Sequence, residues 1–199
     1  MVYKTHSVAA LIGAEVFLLH AHQPVLAWPT AAALLGAYIA GPAADVDQPQ
    51  SYVGQRVWPL AVLLSVVGIR HRTLTHSLVF LAVLWAALQL LPVPGVVRWA
   101  VWIGYATHPF IDLFNEEGVE LLWPLRLRVK LLPNPLAIPV ESVREAILRG
   151  VMTAVSFVLL WLFVHPVMTQ LPVVGPVLGA VSDGLIRMLP SSIQAMIGF

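Results

Sequence analysis

Seven apolar stretches, at about residues 7–26, 28–44, 57–69, 75–93, 96–112, 147–167 and 171–189, constrain this chain more than any other feature. A helix that crosses a bilayer needs about 20 apolar residues, with about 17 as the lower limit. Most of the stretches meet or approach that length. Only 11% of the residues are charged and 59% are hydrophobic, whereas a soluble domain is about a quarter charged. That is too little charge to solvate a globule of 199 residues, so a bilayer is the expected solvent. The pattern predicts an all-α fold, a polytopic membrane helical bundle forming a single integral domain over 1–199. Its C-terminal helices are expected at about 147–189.

Two segments need separate treatment. Lys4 followed by an apolar run has the look of a signal peptide, but His6 and Glu15 interrupt the run and no small-residue cleavage site follows. A retained first helix is expected. The run from Val57 to Ile69 is too short to cross and predicts a re-entrant or interfacial helix. A net charge of +1 and the lack of a basic stripe with interleaved aromatics give no sign of a nucleic-acid partner. Cysteine is absent, so any metal must be held by His, Asp or Glu.

If 57–69 turns back, the first two helices leave and return to one membrane side, and 45–56 and 70–76 both lie there. The next two helices bring 108–146 back to the same side. Lys4, Arg56, Arg70, Arg72, Arg126, Arg128, Lys130, Arg144, Arg149 and Arg187 then share that side, against Arg98 alone on the other. The positive-inside rule makes it cytoplasmic. Were 57–69 to cross, the asymmetry would break. Nothing in this count used the ligand-type residues, yet the same topology gathers His6, Asp45, Asp47, His71, His76, His108 and Asp112 at one interface. Ionisable groups at membrane depth are costly and usually face a cavity or each other.

His108 and Asp112 stand four residues apart, on one face of a helix that contains Pro109. Such a pair binds one metal together, or the Asp orients the His. His71 and His76 are five apart, the wrong spacing for one continuous helix. They converge only if a cap at Thr73 or Thr75 starts the next helix after His71. Arg72 between them has the fork to grip a phosphate. Asp45 and Asp47 form an acidic turn that suits hard or borderline cations, one carboxylate bridging two ions. Each element alone also has an ordinary structural reading as a cap, a solvated turn or an interfacial side chain. Glu15 is deeper and has no assigned role. His20, His22 and His165 fall on the opposite side as bystanders, and most of the seven Trp read as interfacial anchors. Together the four His and three Asp suffice for two divalent ions with open positions, and mixed N/O ligation suits Zn, Mn or Fe better than Ca.

At these residues the sequence resembles the YdjM-like membrane-bound metal-dependent hydrolases of bacteria and archaea. The resemblance runs from about Thr5 to about Lys130. It comprises Thr5-His6-Ser7, Asp45-Val46-Asp47, Gly54-Gln55-Arg56, His71-Arg72-x-x-Thr75-His76-Ser77, Gly104-x3-His108-x3-Asp112 and Trp123-Pro124. Where the family shows Pro-Asp-x-Asp-His, this chain has Ala44 and Gln48, and the second departure removes a ligand. The His-x3-Asp element is also similar to that of zinc-dependent phospholipases C. The resemblance implies a hydrolase of the prokaryotic inner membrane, and the cytoplasmic site suggests a lipid phosphoester as substrate. Asp45, Asp47 and Arg72 would serve catalysis, one Asp as bridge or base and Arg72 on the substrate phosphate. The alternative is a non-catalytic metal-binding or transport protein with the same ligands. A third reading is a structural protein whose His and Asp satisfy one another.

Overall fold

The structure, a computed structural model, describes residues 1–170 and 175–196, so the stretch expected at 171–189 lies partly outside the described residues. Among these the chain is helical: α1 Tyr3–His20, α2 Trp28–Ala40, α3 Tyr52–Arg56, α4 Trp58–Val66, α5 Leu78–Gln89, α6 Gly95–Asp112, α7 Val143–Met168, α8 Gly175–Ile186 and α9 Ser191–Met196. Short 3-10 turns cover Gly41–Asp47 and Leu74–His76.

Several apolar runs make shorter helices than their length predicts. The run at 28–44 stops being α-helical at Ala40 and tightens into the 3-10 turn that carries the acidic pair. The run at 75–93 yields α5, which begins only at Leu78, because Ser77 caps it by accepting the Phe80 N–H at 3.1 Å. The cap is therefore Ser77, not Thr73 or Thr75. Helices of this length reach about 20 Å, against about 30 Å of hydrocarbon. Among the described residues one helix, α7, is long and apolar enough to cross a membrane. Helix length among the described residues thus gives one candidate span and does not confirm the polytopic bundle.

The short run at 57–69 behaves as its length requires. Its helix, α4, has 9 residues, about 13 Å. The chain leaves this region from Asp47 and comes back at His71, whose Nδ1 lies 2.8 Å from Asp47 Oδ1. Both ends of the excursion therefore meet at one point.

The bundle is built on small residues. Ala14, Leu18 and Leu19 of α1, Ala33 and Ala37 of α2, Ala100 of α6 and Phe163 of α7 form one buried cluster. Ala40, Ala44, Leu81, Tyr105 and Ala106 form a second. In lipid no hydrophobic force drives helices together, so close backbone approach and dispersion must do so. Gly104 shows how tight the approach is, since a Cβ there would lie 2.8 Å from both Cα and the carbonyl oxygen of Ala37. Gly104→Ala is expected to force α2 and α6 apart and to cost about 1–3 kcal/mol. A lowered melting midpoint of the purified protein in detergent would show this, and an unchanged midpoint would refute the contact.

α1 and α7 run parallel and are pinned at two levels. Thr5 Oγ1 donates to Glu145 Oε1 at 2.8 Å, and Ser156 Oγ donates to Glu15 Oε1 at 2.9 Å. The spacing is about the same along both helices, roughly 15 Å. The long apolar helix α7 thus fixes the axial register of α1, and His6, next to Thr5, stands level with its first turn.

Residues 113–142 fold back over this end. Glu120 N donates to the Arg72 carbonyl at 3.0 Å, Leu78 N to that of Leu121 at 2.9 Å, and Leu131 N to that of Leu113 at 2.8 Å.

Candidate metal centre

The site is assembled from four pieces of chain that meet where α1 begins and where α2 and α6 end. His6 sits in the first turns of α1 and His108 and Asp112 in the last turns of α6. The 3-10 turn after α2 carries Asp45 and Asp47. The return from α4 supplies His71 and His76. Their spacing, wrong for a helix, works because Arg72 takes a left-handed backbone (φ 64) and Leu74–His76 form a 3-10 turn. A non-glycine residue rarely pays that strain outside functional or tightly held segments. Here Asp47 Oδ2, 3.3 Å from the Arg72 N–H, holds the turn.

All seven expected ligand-type residues come together. His6, His76 and His108 are fully buried, Asp112 and Asp47 nearly so. The His6 and His108 rings stack at 3.5 Å and 5°. His108 Nε2 is 3.2 Å from Asp45 Oδ1 and 3.8 Å from Asp112 Oδ2. His76 Nε2 is 3.7 Å from Asp45 Oδ1 and 3.9 Å from Asp112 Oδ2. His71 Nε2 lies 3.9 Å from Asp45 Oδ1, and His6 Nε2 3.5 Å from Asp112 Oδ1. The Met1 amino group is 3.1 Å from the same Asp112 oxygen. Two triads share metal-compatible spacing, His6–His108–Asp112 and Asp45–His71–His76, with the ligand atoms of each within 4.8 Å of one another.

Donor chemistry decides whether these residues suit a divalent metal. The Gly41 carbonyl can only accept, so His108 Nδ1, 2.7 Å away, donates to it. Thr75 Oγ1 donates to Asp47 Oδ2 at 2.6 Å and therefore accepts from His76 Nδ1 at 2.9 Å. His71 Nδ1 donates to Asp47 Oδ1. In each neutral ring the Nδ1 proton is thereby placed, and Nε2 is left with its lone pair. The Nε2 atoms of His6, His76 and His108, with Asp112 Oδ2, are buried and have no hydrogen-bond partner among the described residues. Buried polar groups without partners are uncommon in proteins. Here they converge, in the carboxylate–histidine arrangement that orients metal ligands. The residues fit the group.

Asp47 and Arg72 occupy other places than a ligand and an open phosphate grip. Both oxygens of Asp47 are engaged, on His71, Thr75 and the Arg72 N–H. Arg72 is itself buried. Its Nε lies 3.1 Å from Asp112 Oδ2, and its Nη1 donates to Asn115 and to Glu117 at 3.1 and 3.0 Å. Asp47→Asn should break the orientation of His71 and Thr75 while keeping the shape. Loss of such a partner typically weakens metal affinity about 10–100-fold. Titration against a chromophoric chelator checks this, and an unaltered affinity would make Asp47 a bystander.

The electrostatics follow from this crowding. Burial alone would raise the Asp45 carboxyl, yet the histidines facing it, His108 first and then His76 and His6, hold it well below the usual range. Burial likewise opposes ionisation of Asp47, but His71 and His76 bring it down to about 2. Burial would lower His76, and Asp45 and Asp47 outweigh it and raise it to about 9. Without a metal, a proton on His76 does part of a cation's work.

The remaining histidines stay apart. His20 ends α1, about 20 Å along the axis from His6, and His165 lies 3.8 Å from Asp183. Sequence reasoning missed Glu145, whose carboxyl group accepts from Val2 N (2.6 Å), Thr5 Oγ1 (2.8 Å) and Glu141 N (2.7 Å). Its signal was the Ser142-x-x-Glu145 capping box, which marked a helix start but not the reach to α1. The Tyr105 hydroxyl, donating to the Thr75 carbonyl at 2.8 Å, was missed too and carries no motif.

Among the described residues the chain is all-helical, has one helix long and apolar enough to cross a membrane, and carries buried His/Asp groups that could hold a metal ion. The chain belongs to the YdjM inner membrane protein family, whose pattern matches residues 1–171. The inner membrane protein YdjM of Escherichia coli (strain K12) is 35% identical over 101 residues, 48% of this chain and 49% of that protein. Its counterpart from Shigella flexneri matches equally. The chain thus spans about half the length of these relatives. The uncharacterized protein YvsG of Bacillus subtilis (strain 168) is 29% identical over 169 residues, 83% of this chain and 98% of the relative. No solved structure matches.

Proposed function

We propose that this protein is a metal-dependent hydrolase of the inner membrane that cleaves a phosphoester, of a phospholipid or lipid-linked phosphate, at the cytoplasmic face. The observation that carries this reading is the opening of the cluster on one side. Three of its histidines are sealed, but Asp45 and His71 keep partial exposure, 13% and 28% at their side chains. Asp45 forms part of the wall of a cavity of about 230 Å³ lined also by Tyr3, Gln50, Ser51, Tyr52 and Glu141. Structural metal sites are typically closed by protein ligands, whereas catalytic sites keep a position free for water and substrate.

Asp45 belongs to one triad and also reaches His108 of the other, with one oxygen near His71, His76 and His108, so it would be the ligand able to serve both ions. Asp112 holds the His6 side, anchored by Arg72. Asp47 orients His71 and fixes the Thr75–His76 pair. Arg72 acts by positioning Asp112 and spreading positive charge over the cluster, in place of contact with substrate. When bound, divalent ions of the Zn, Mn or Fe type would lower the pKa of a water and stabilise charge on phosphoryl oxygens.

The membrane frame supports a polytopic arrangement with the cluster at one boundary. α7 sets the depth of α1, and α5 exposes Leu78, Val79 and Val83 as α4 exposes Trp58, Leu63 and Val66. Apolar stripes of this extent are unstable against water. The excess of cations beside the cluster supports a cytoplasmic orientation of that boundary.

The test is release of inorganic phosphate or diacylglycerol from phospholipids in mixed micelles by the metal-loaded protein. Turnover is expected with Zn or Mn and absent after chelation or in Asp45→Asn. Stoichiometric metal with no release from any lipid phosphoester would instead favour the metal-binding or transport reading.

A further inference from the structure

A second cavity, of about 440 Å³, runs along the bundle below the cluster, between α1, α6 and α7. It is lined by Ala9 and Ile12 of α1, Ile103, Thr107 and Phe110 of α6 and Met152 of α7, among others. Its size is that of a small-molecule site. Thr107 is the sole lining residue with a side-chain hydroxyl, and that hydroxyl already donates to the Gly104 carbonyl at 2.7 Å. An occupant therefore finds no free hydroxyl and meets an almost wholly apolar wall.

Depth identifies what fills such a groove. Met152 lies about 10 Å along α7 from Glu145, inside the apolar span and below the level where Glu145 meets Val2 and Thr5. The groove is thus at hydrocarbon depth. Its upper end is formed by Phe110 and Ile111, beside Asp112, and by Ala9, one turn from His6. A chain laid along it, for about 13 Å from Trp102 to Ile111, brings its polar end to the cluster.

We propose that this groove holds one acyl chain of a membrane phospholipid and so seats the headgroup at the metal centre. The inference rests on the hydrolase reading for its purpose, though not for its geometry. It makes the substrate a two-phase molecule whose hydrocarbon part is bound by α1, α6 and α7.

The probe is phosphatidic acid carrying a diazirine on one acyl chain, at low fraction in phosphatidylcholine vesicles containing the full metal-loaded chain. After irradiation, adducts are mapped by peptide mass spectrometry and metal is quantified on the same sample. Adducts are expected to be enriched at residues 9–12 and 103–110 over Val151, an exposed neighbour of Met152 at the same depth. Met152→Trp, and separately Ile12→Trp, should fill the groove and abolish the enrichment with metal content unchanged. Two different walls are altered so that misfolding of one variant leaves the other to decide. Equal labelling of the groove and Val151, or enrichment that survives both fillings, overturns the proposal. So does a chain-to-chain adduct showing a second copy in the groove. Enrichment without bound metal would keep the acyl site and remove the hydrolase reading. Bound metal with uniform labelling would do the reverse.

Discussion

His108→Ala is expected to strip the protein of its metal and reduce phosphoester turnover to background, while the helices stay folded. His108 stands between the two carboxylates, with Nε2 3.2 Å from Asp45 and 3.8 Å from Asp112. Its loss removes a ligand from one triad and the stacking partner of His6, and leaves Asp45 without its nearest histidine. Elemental analysis of purified protein, with circular dichroism as the folding control, tests this. Retained metal and turnover in a folded variant would sink the metal centre as drawn. A pH titration adds a second signature. His76 is raised from 6.5 to about 9 in the metal-free protein, so a metal must displace its proton, and apparent affinity should climb as pH rises toward 9. Without metal the dependence runs the other way. A raised His76 stabilises the fold fully below about 6.5 and loses that contribution as pH rises through 9. A depressed Asp47 contributes above 3.8 and loses it as pH falls through about 2. Both contributions are present between roughly pH 4 and 6.5. Buried His6 is held well below its ordinary value by burial and by His108, which disfavours the acid side of that window, so the metal-free protein should be most stable near roughly pH 6.5, and bound metal should extend that range upward. A metal-free melting midpoint that kept rising from pH 6.5 to 9 would contradict these ion pairs.

The gathering of His6, Asp45, Asp47, His71, His76, His108 and Asp112 was legible because two coarse signals, segment length and cation asymmetry, both required 57–69 to turn back. Topology then did what no single motif does. Division of labour within the cluster was not legible. Asp45 and Asp47 are the same residue type two positions apart, and only the 3-10 winding sends one toward the Nε2 atoms and the other to His71 Nδ1 and Thr75. Arg72 looked like a phosphate grip because sequence shows its charge but not its left-handed backbone, which lets it turn onto Asp112. Helix lengths were overestimated at 28–44 and 75–93, since hydropathy cannot tell an α-helix from a 3-10 turn or an apolar loop. The cap at α5 was misplaced by two or four residues because Thr73, Thr75 and Ser77 offer equivalent hydroxyls. Only Ser77 precedes a run free to continue as helix.

Glu145→Ala is expected to cost about 3 kcal/mol, a large part of a typical domain's stability, and to loosen the His6 side of the centre. One buried carboxyl group here serves two helix starts. It accepts the Val2 N–H and Thr5 hydroxyl at the start of α1 and the Glu141 N–H just before α7. α1 has no capping side chain of its own, so nothing else described replaces these bonds. Alanine would leave three donors short of partners, two of them at the first turn that carries His6. The melting midpoint should fall, and metal should be lost from the His6–His108–Asp112 triad before the Asp45–His71–His76 triad. Glu145→Gln separates packing from hydrogen bonding. Its remaining carbonyl oxygen can still accept from Val2 and Thr5, whereas its NH₂ group cannot accept from Glu141. It should therefore recover the metal stoichiometry and only part of the midpoint. If Gln loses as much metal as Ala, the link from α7 to His6 does not run through those two bonds. If Ala keeps all its metal at full stability, α7 is a neighbour of the centre and not one of its supports.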